Sequence, residues 1–499
     1  MLYIRMAVTM LVSLYTSRVV LETLGVDDFG IWSVVGTLVV MVSFITSPLA
    51  SATQRFINVA LGQKNKERAG MVFSQSLILY AIFAVGLLVL FETVGLWFLT
   101  HKMDIPSGRL TAATWVFHFV VVSFIITILR VPFDAVVIAN ERFRFYAFIG
   151  IVDVLLKLGI VFMLPFAPDG KTLIFYAALM LCSNLIVAGS YIIFCSSNFE
   201  SARLKLTWNR DLAKELLSFT GWSTFGAFAS VSSNQGLSII VNLFFGVAVN
   251  AAMGLANQVA NAVNQFVTNF QTAFQPQIVQ QFAAGDSVSM FRLVCMASKV
   301  SFFLIIAIGC PVIFNIDYLL SLWLKEIPAL TSQFCVLVIC VAIIEALGAP
   351  LWMVIQATGR ISTYQIIISS LLLLTLVIGY ILLCIGFSAP TIIVVKLCVC
   401  TVCFAYRLIA VKLLANLSIR KIMTGFVIPE ILTAIISVGS LVAFFIISDA
   451  TGLSRFIIST IIFLCVLAIA SWLLLTEQSQ RKVIIEKIQD CLKLSSHNT

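Results

Sequence analysis

Fourteen apolar runs, each long enough to cross a membrane, follow one another along the 499-residue chain and constrain its fold more than any other feature. About 20 consecutive apolar residues span the hydrocarbon layer as an α-helix. Only 11% of the residues are charged, whereas a soluble domain carries roughly 25%. We therefore expect an all-α polytopic membrane protein with about 14 transmembrane helices. The predicted spans are residues 2–21, 30–50, 72–99, 113–139, 146–166, 172–195, 216–244, 250–280, 293–315, 331–356, 362–385, 389–413, 426–447 and 455–475.

The longest inner loop separates the first twelve spans into two sets of six. An even number of spans per set gives two parallel halves, which is the arrangement of many transporters. A shift of 221 residues places Gly25 on Gly246 and Gln54 on Gln275, a weak trace of duplication. The predicted organisation is an N-terminal lobe (1–197), a cytoplasmic linker (198–214), a C-terminal lobe (215–415), two further helices (416–476) and a cytoplasmic tail (477–499).

Basic residues are distributed unequally between the loops on the two sides. With the N-terminus in the cytoplasm, the inner loops hold fourteen Lys and Arg and the outer loops hold five. Cytoplasmic loops carry such an excess, so both termini are predicted to be cytoplasmic. The net charge of +9 comes largely from these loops and does not indicate nucleic-acid binding. The first run lacks a small-residue cleavage site, which predicts that it stays in the mature protein.

Residues 250–281 carry twelve Asn or Gln side chains and no charge. An amide at membrane depth needs a hydrogen-bond partner, so these side chains face either water and a polar solute or neighbouring helices. An amide both donates and accepts, which suits sugar hydroxyls. A cavity wall and a packing seam are the two interpretations. On a 3.6-residue period the polar side chains that share one broad stripe are Asn250, Asn257, Asn261, Asn264, Thr268, Gln271 and Gln275.

Several motifs resemble the Wzx-type polysaccharide flippases of the multidrug/oligosaccharidyl-lipid/polysaccharide exporter superfamily, which is related to the MATE transporters. The motifs are TSRVVLETLGVDDFGIW at 16–32, ATQRF at 52–56, the basic loop LGQKNKERAGMVFS that follows, and GWSTFGAFASVSSNQG at 221–236 with FFGVAVNAAMG after it. The resemblance implies a V-shaped pair of six-helix lobes around a central cavity, lined mainly by spans 1, 2, 7 and 8.

The same resemblance implies a function. Such proteins move an undecaprenyl-pyrophosphate-linked oligosaccharide from the inner to the outer leaflet of the bacterial inner membrane, for O-antigen, capsule or exopolysaccharide synthesis. The lipid-linked oligosaccharide and membrane lipids are the expected partners, a polysaccharide polymerase is a candidate protein partner, and a proton or sodium ion is the candidate coupling ion. No cofactor is expected.

An ionisable residue within a span is costly, so each needs a partner or a function. Arg18 is the leading candidate for the pyrophosphate contact, because a guanidinium matches phosphate geometry with two donors. An ion pair with Glu22, four residues on, is its alternative role. Lys299 and Lys396 are further cationic candidates. Glu345 lies near the middle of its span, where it either carries a coupling proton or neutralises one of those two lysines.

Two acidic residues in the first half lie four residues from a basic one. Asp134 follows Arg130, and Asp153 precedes Lys157, on adjacent predicted helices. We expect the four groups to form one structural ion network; ion coupling through Asp134 and Asp153 is the alternative.

Two other functions fit an integral membrane protein less well. A multidrug cation antiporter of the same superfamily would need a carboxylate in the first-lobe cavity, and spans 1 and 2 have none inside. A polysaccharide polymerase or ligase tends to need a large outer loop, and none here much exceeds about fifteen residues. The sequence has no Walker A pattern, and its cysteines match no zinc spacing, so we predict neither an enzyme nor a metal site.

Overall fold

The computed structural model describes residues 46–101, 107–168, 170–202, 208–324, 327–448 and 451–476, together with eleven separate positions between Thr9 and Val35. Every regular element within these residues is helical, as predicted. The helices are α1 (Thr46–Gly62), α2 (Lys66–His101), α3 (Leu110–Ala139), α4 (Phe143–Phe166), α5 (Thr172–Asn198), α6 (Arg210–Ala283), α7 (Ser287–Phe314), α8 (Ile316–Trp323), α9 (Thr331–Thr358), α10 (Ser362–Cys384), α11 (Thr391–Ala415), α12 (Ile419–Ile447) and α13 (Gly452–Leu474).

Ten of these helices, all except α1, α6 and α8, are long and apolar enough to cross a membrane. The protein is therefore a multi-pass membrane protein. The helix bounds lie within a few residues of the predicted spans from the third span onward, and the tail from residue 477 is outside the described residues.

Helix α6 joins two predicted spans without a loop. Its 74 residues bend at Gly246, where φ is 77° and ψ is −174°. A residue with a Cβ atom rarely adopts this conformation, whereas glycine adopts it readily. The Ser238 hydroxyl donates a hydrogen bond across the bend to Asn250 Oδ1 at 2.6 Å. The predicted spans 216–244 and 250–280 are therefore separated by a bend at one glycine and not by a loop.

Helix α1 continues to Gly62, although the sequence predicted an end at residue 50. The added turns carry Gln54, Arg55 and Asn58, whose polarity lowers the local hydropathy. In the structure these side chains are buried: Arg55 is 9% exposed and its guanidinium lies 5.1 Å from the Phe219 ring centroid. The hydropathy of the sequence predicted too short a span for α1. It counts Gln54, Arg55 and Asn58 as polar, whether or not protein surrounds their side chains.

The chain forms two compact units. Unit 1 comprises residues 1–231, 275–287 and 359–366, and unit 2 comprises residues 232–274, 288–358 and 367–499. The division falls within α6, whereas the predicted lobe boundary was the linker 198–214. Two short segments from the second half of the sequence also belong to unit 1. The core of unit 1 includes residues from each of the helices α1 to α5, and α9 packs closely on α11 in unit 2.

The segment 275–287 is held in unit 1 by close backbone packing and by amide hydrogen bonds. Gln280 Nε2 donates to the Ala139 carbonyl at 2.8 Å and to Asn58 Oδ1 at 3.3 Å. A Cβ atom at Gly62 would lie 2.3 Å from the Gln280 carbonyl oxygen and 2.8 Å from its Cα. The backbone at the end of α1 therefore crosses in direct contact with the backbone of this segment. Only glycine, which has no Cβ atom, permits so close an approach.

We expect Gly62→Ala to destabilise the protein by about 2 kcal/mol, because an added methyl group at this crossing must push two backbones apart. Gly86→Ala is the matched control. Gly86 lies in α2 with nothing within 4 Å of an added Cβ, so this change should leave stability unchanged or raise it by up to about 1 kcal/mol. Thermal unfolding in detergent measures the stability of both variants. Equal midpoint temperatures of unfolding would contradict the close backbone contact at Gly62.

Candidate functional site

The candidate site lies in unit 2, where α11 presents a polar face to α9. Lys396, Cys400, Cys403 and Arg407 follow one another at spacings of four, three and four residues, so they share one side of α11. The Cys400 thiol donates to Glu345 Oε1 at 3.8 Å. Lys396 and Arg407 also lie close enough to interact electrostatically with Cys400. One carboxylate and two cations therefore meet at one place, with a net charge of about +1.

Arg407 approaches α9 at a glycine. A Cβ atom at Gly348 would lie 2.1 Å from Arg407 Nη1, so the guanidinium occupies the space that any other side chain would fill. Gly348 is one turn beyond Glu345 on α9. Glycine at this position lets a long cationic side chain lie flat against the helix instead of projecting away from it.

Lys396 is oriented by α6. Its Nζ donates to Asn234 Oδ1 at 2.7 Å, and Asn234 lies in the half of α6 that precedes the Gly246 bend. Asn234 and Glu345 are both exposed. A charge in the middle of an apolar span is not stable against hydrocarbon, so we expect this exposed surface to face a water-containing space. The arrangement can bind an anionic group with cations and hydrogen-bond donors.

The second half of α6 also has an exposed polar face. Asn261 is exposed, and Asn257 and Asn264 are half-buried beside it. Gln258 and Gln265, which the sequence analysis did not select, are exposed on the same side. This face carries no charge, because none occurs between Glu215 and Asp286. Its geometry fits the cavity-wall interpretation for the three asparagines, whose contact with a solute stays a prediction.

Gln271 requires a correction, because it lies on the packed side of α6. It is 7% exposed, and its Nε2 donates to Ser301 Oγ at 3.0 Å and to the Ala346 carbonyl at 3.2 Å. Pro350, four residues after Ala346, has no N–H to bond this carbonyl within α9. Gln271 supplies the missing donor. Its position therefore fits the packing interpretation and not a cavity wall.

The other predicted site residues are dispersed. Lys299 interacts electrostatically with Glu430, a residue that is 3% exposed and accepts a hydrogen bond from Ser298 Oγ at 2.9 Å. Lys299 is thus near a carboxylate that the sequence analysis did not select. Gln275 belongs to unit 1. Arg18 and Glu22 lie outside the described residues.

The four charges of the first half form two pairs instead of one network. Arg130 Nε lies 3.3 Å from Asp134 Oδ2, and Lys157 Nζ lies 2.8 Å from Asp153 Oδ2. Among the described residues no ion pair joins the two helices. The Arg130 guanidinium instead lies over the Tyr191 ring, 5.2 Å from its centroid. Each ion pair lies within one helix, although Tyr191 on α5 also contacts the pair on α3, and ion coupling through Asp134 or Asp153 stays a prediction.

Comparison with known proteins places the fold. No protein-family model and no curated protein sequence matches the chain. Solved structures do match. A MATE transporter in its bent conformation is 16% identical with a TM-score of 0.70, over 83% of this chain and 94% of that one. An outward-facing MATE family transporter of the MOP superfamily is 14% identical with a TM-score of 0.70, over 82% and 94%. The chain has the fold of MATE transporters.

A third match comes from Pyrococcus furiosus. It is a MOP superfamily transporter for which a binding pocket of reverse polarity suggests a different function. It is 15% identical with a TM-score of 0.69, over 83% of this chain and 94% of that one. The TM-scores of these matches establish that the chain shares their fold, and identities of 14–16% show nothing finer than the fold.

Asn261, which is exposed, and Gln271, which is buried, should respond differently to the same substitution. Gln271→Leu leaves Ser301 and the Ala346 carbonyl without their partner, so we expect a loss of about 1–3 kcal/mol in stability. Asn261→Leu removes an exposed amide that makes no hydrogen bond to the described residues, so folding should be nearly unchanged. Thermal unfolding and the amount of folded protein in the membrane measure both. A larger loss of stability for Asn261→Leu than for Gln271→Leu would contradict the conclusion that Gln271 is the packed residue and Asn261 the exposed one.

Proposed function

We propose that this protein is a transporter that moves an undecaprenyl-pyrophosphate-linked oligosaccharide from the inner to the outer leaflet of a bacterial cytoplasmic membrane, with both termini in the cytoplasm. The observation that carries the proposal is that unit 2 holds both a net cationic cluster of Lys396, Arg407 and Glu345 and an uncharged amide face on the second half of α6. A substrate with an anionic pyrophosphate and a neutral glycan needs both kinds of surface.

The cluster supplies the groups that a pyrophosphate requires. Arg407 offers two parallel donors, which match two phosphate oxygens, and Lys396 adds a point charge on a flexible chain. Asn234 holds the ammonium group without neutralising it, because an amide oxygen carries no full charge. Lys396 therefore keeps its charge for the substrate. Arg18 is a further proposed contact, on the basis of the sequence alone.

The amide face supplies weak, neutral contacts. Asn257, Asn261 and Asn264 can donate to and accept from sugar hydroxyls, and each such bond contributes only about 1 kcal/mol. Contacts of this strength let successive sugars pass without being held. A carboxylate at these positions would repel the pyrophosphate.

A multidrug cation antiporter is the second candidate, and one observation favours it. Glu345 is exposed within a membrane span, and among the described residues it forms no ion pair. A carboxylate in such a position can exchange a proton for a cationic drug. The two candidates differ in the charge of the transported molecule, so direct transport measurements separate them.

Transport in proteoliposomes tests the proposal. We expect the purified protein to move a fluorescent undecaprenyl-pyrophosphate oligosaccharide to the outer leaflet, where an external quencher reaches it. The protein should not transport the cation ethidium. Lys396→Gln and Arg407→Gln should each slow the exposure at least about tenfold, since each removes a charged hydrogen bond. Arg407→Lys should restore part of the rate.

Arg144→Gln serves as the control, because it removes an exposed cation from the first turn of α4. Its rate should equal that of the unmodified protein. Ethidium transport that is lost in Glu345→Gln, with no movement of the lipid-linked oligosaccharide, would establish the antiporter and reject the flippase.

We further propose alternating access, in which contacts inside unit 1 open during each cycle. The segment 359–366 is one of those contacts. A Cβ atom at Gly359 would lie 2.1 Å from Arg55 Nη2, so the buried guanidinium lies against the Gly359 backbone. Glu215 interacts electrostatically with Arg55, and Phe219 packs on it. These contacts, together with those of Gln280, close the end of unit 1 that we assign to the cytoplasm.

Gly359→Ala should open this end more often, because its methyl group displaces Arg55. Gly285→Ala is the control: Gly359 and Gly285 have φ values of 75° and 78°, so both variants carry the same left-handed strain, but nothing lies within 4 Å of a Cβ at Gly285. The readout is maleimide labelling of Thr220→Cys, next to Phe219, in a background with the native cysteines replaced. Faster labelling in the Gly359 variant alone is expected, and equal rates in both variants would contradict the gate.

A further inference from the structure

A cleft lies where α11 ends and α12 begins. It has a volume of about 380 Å³ and is lined by Lys412, Asn416, Leu417, Ser418, Ile419 and Arg420. Asn416 adopts a left-handed conformation with φ of 54°, which ends α11 and turns the chain into α12. The turn therefore places two cations, an amide and a hydroxyl around one small space.

The positive charge of this cleft is not balanced. Lys412 and Arg420 are exposed, as is the adjacent Lys421, and the sequence from 412 to 421 contains no acidic residue. None of the three cations forms an ion pair with any residue that the structure describes. Solvation alone can account for one exposed lysine, but three cations at one turn create a local potential that attracts an anion.

The cleft borders an apolar surface. Val402, Ile409 and Leu413 lie on one side of α11 at spacings of seven and four residues, and all are exposed, Leu413 by 70%. In a membrane-spanning helix such a side faces the acyl chains of lipids. It ends beside Lys412, so an acyl chain packed along it would bring its polar head group to the cleft.

We propose that this cleft binds the phosphate of an anionic membrane phospholipid. The distribution of basic residues predicts that the cleft lies on the cytoplasmic side, where basic pockets between transmembrane helices recognise anionic head groups. Lys412 and Arg420 bind the phosphate oxygens, Ser418 donates to the same group, and the acyl chain packs on Leu413. The bound lipid fixes the turn from which α12 and α13 continue. This inference does not depend on the proposed transport function.

Lipid retention by the full-length protein tests the proposal. Protein in mild detergent is mixed with dioleoyl-phosphatidylglycerol or dioleoyl-phosphatidylcholine, and the bound lipid is counted by native mass spectrometry. We expect preferential retention of phosphatidylglycerol, which Lys412→Gln/Arg420→Gln weakens by about 30-fold. Arg142→Gln/Arg144→Gln removes the same charge from the exposed start of α4 and should keep the preference. Lys412→Gln alone, expected to weaken retention about fivefold, replaces the double variant if the latter does not fold.

A second arm identifies the source of the phosphate. Inorganic phosphate at millimolar concentration should displace little phosphatidylglycerol, because it lacks the acyl contact with Leu413. Leu413→Ser should lower lipid retention while leaving the charges in place. Equal retention of both lipids, an equal loss in the two double variants, or complete displacement by inorganic phosphate would each overturn the proposal.

Discussion

A polar group surrounded by hydrocarbon or packed apolar side chains must find a hydrogen-bond partner within the protein, and this requirement organises the structure. The clearest case is the Ala346 carbonyl, which Pro350 deprives of its helical partner. Gln271 crosses from α6 to supply the missing donor, and Ser301 on α7 bonds the same amide. One amide thus joins three helices. An apolar residue at position 271 would leave two groups unpaired, each of which costs about 1–3 kcal/mol.

The same requirement places the charges. Glu430 is buried against Ser298 with Lys299 nearby, Lys396 is held by Asn234, and Arg407 lies in the space left by Gly348. In an ion pair within one helix, such as Lys157 with Asp153, the two charges neutralise each other. The Glu345 cluster differs because its cations outnumber its carboxylates and because Glu345 is exposed, while Lys396 and Arg407 are half-buried. Stability alone does not require this surplus, which is why a binding role is its most economical explanation.

The sequence predicted the class of fold and most helix bounds, because both depend on the length of apolar runs, a property that is local. It could not predict the contacts of an amide, since Asn261 and Gln271 belong to one stripe in the sequence and to different faces in the structure. It ended α1 too early, because the burial of Arg55 depends on Phe219, which is distant in the chain. Glu430 was missed because it lies near the predicted start of its span, where a carboxylate usually reaches water. Arg18 lies outside the described residues, so its role stays a prediction.

The absence of charge from most of α6 has an electrical consequence. A neutral amide does no work when it moves through the membrane potential, whereas one elementary charge crossing the full membrane gains or loses about 2.3 kcal/mol per 100 mV. Between Glu215 and Asp286 the helix can bend at Gly246 without any coupling to voltage. Any voltage sensitivity of a conformational change in unit 2 must therefore arise in other helices, where Lys299 on α7, Glu345 on α9, and Lys396 and Arg407 on α11 are among the charged groups on which the membrane field can act.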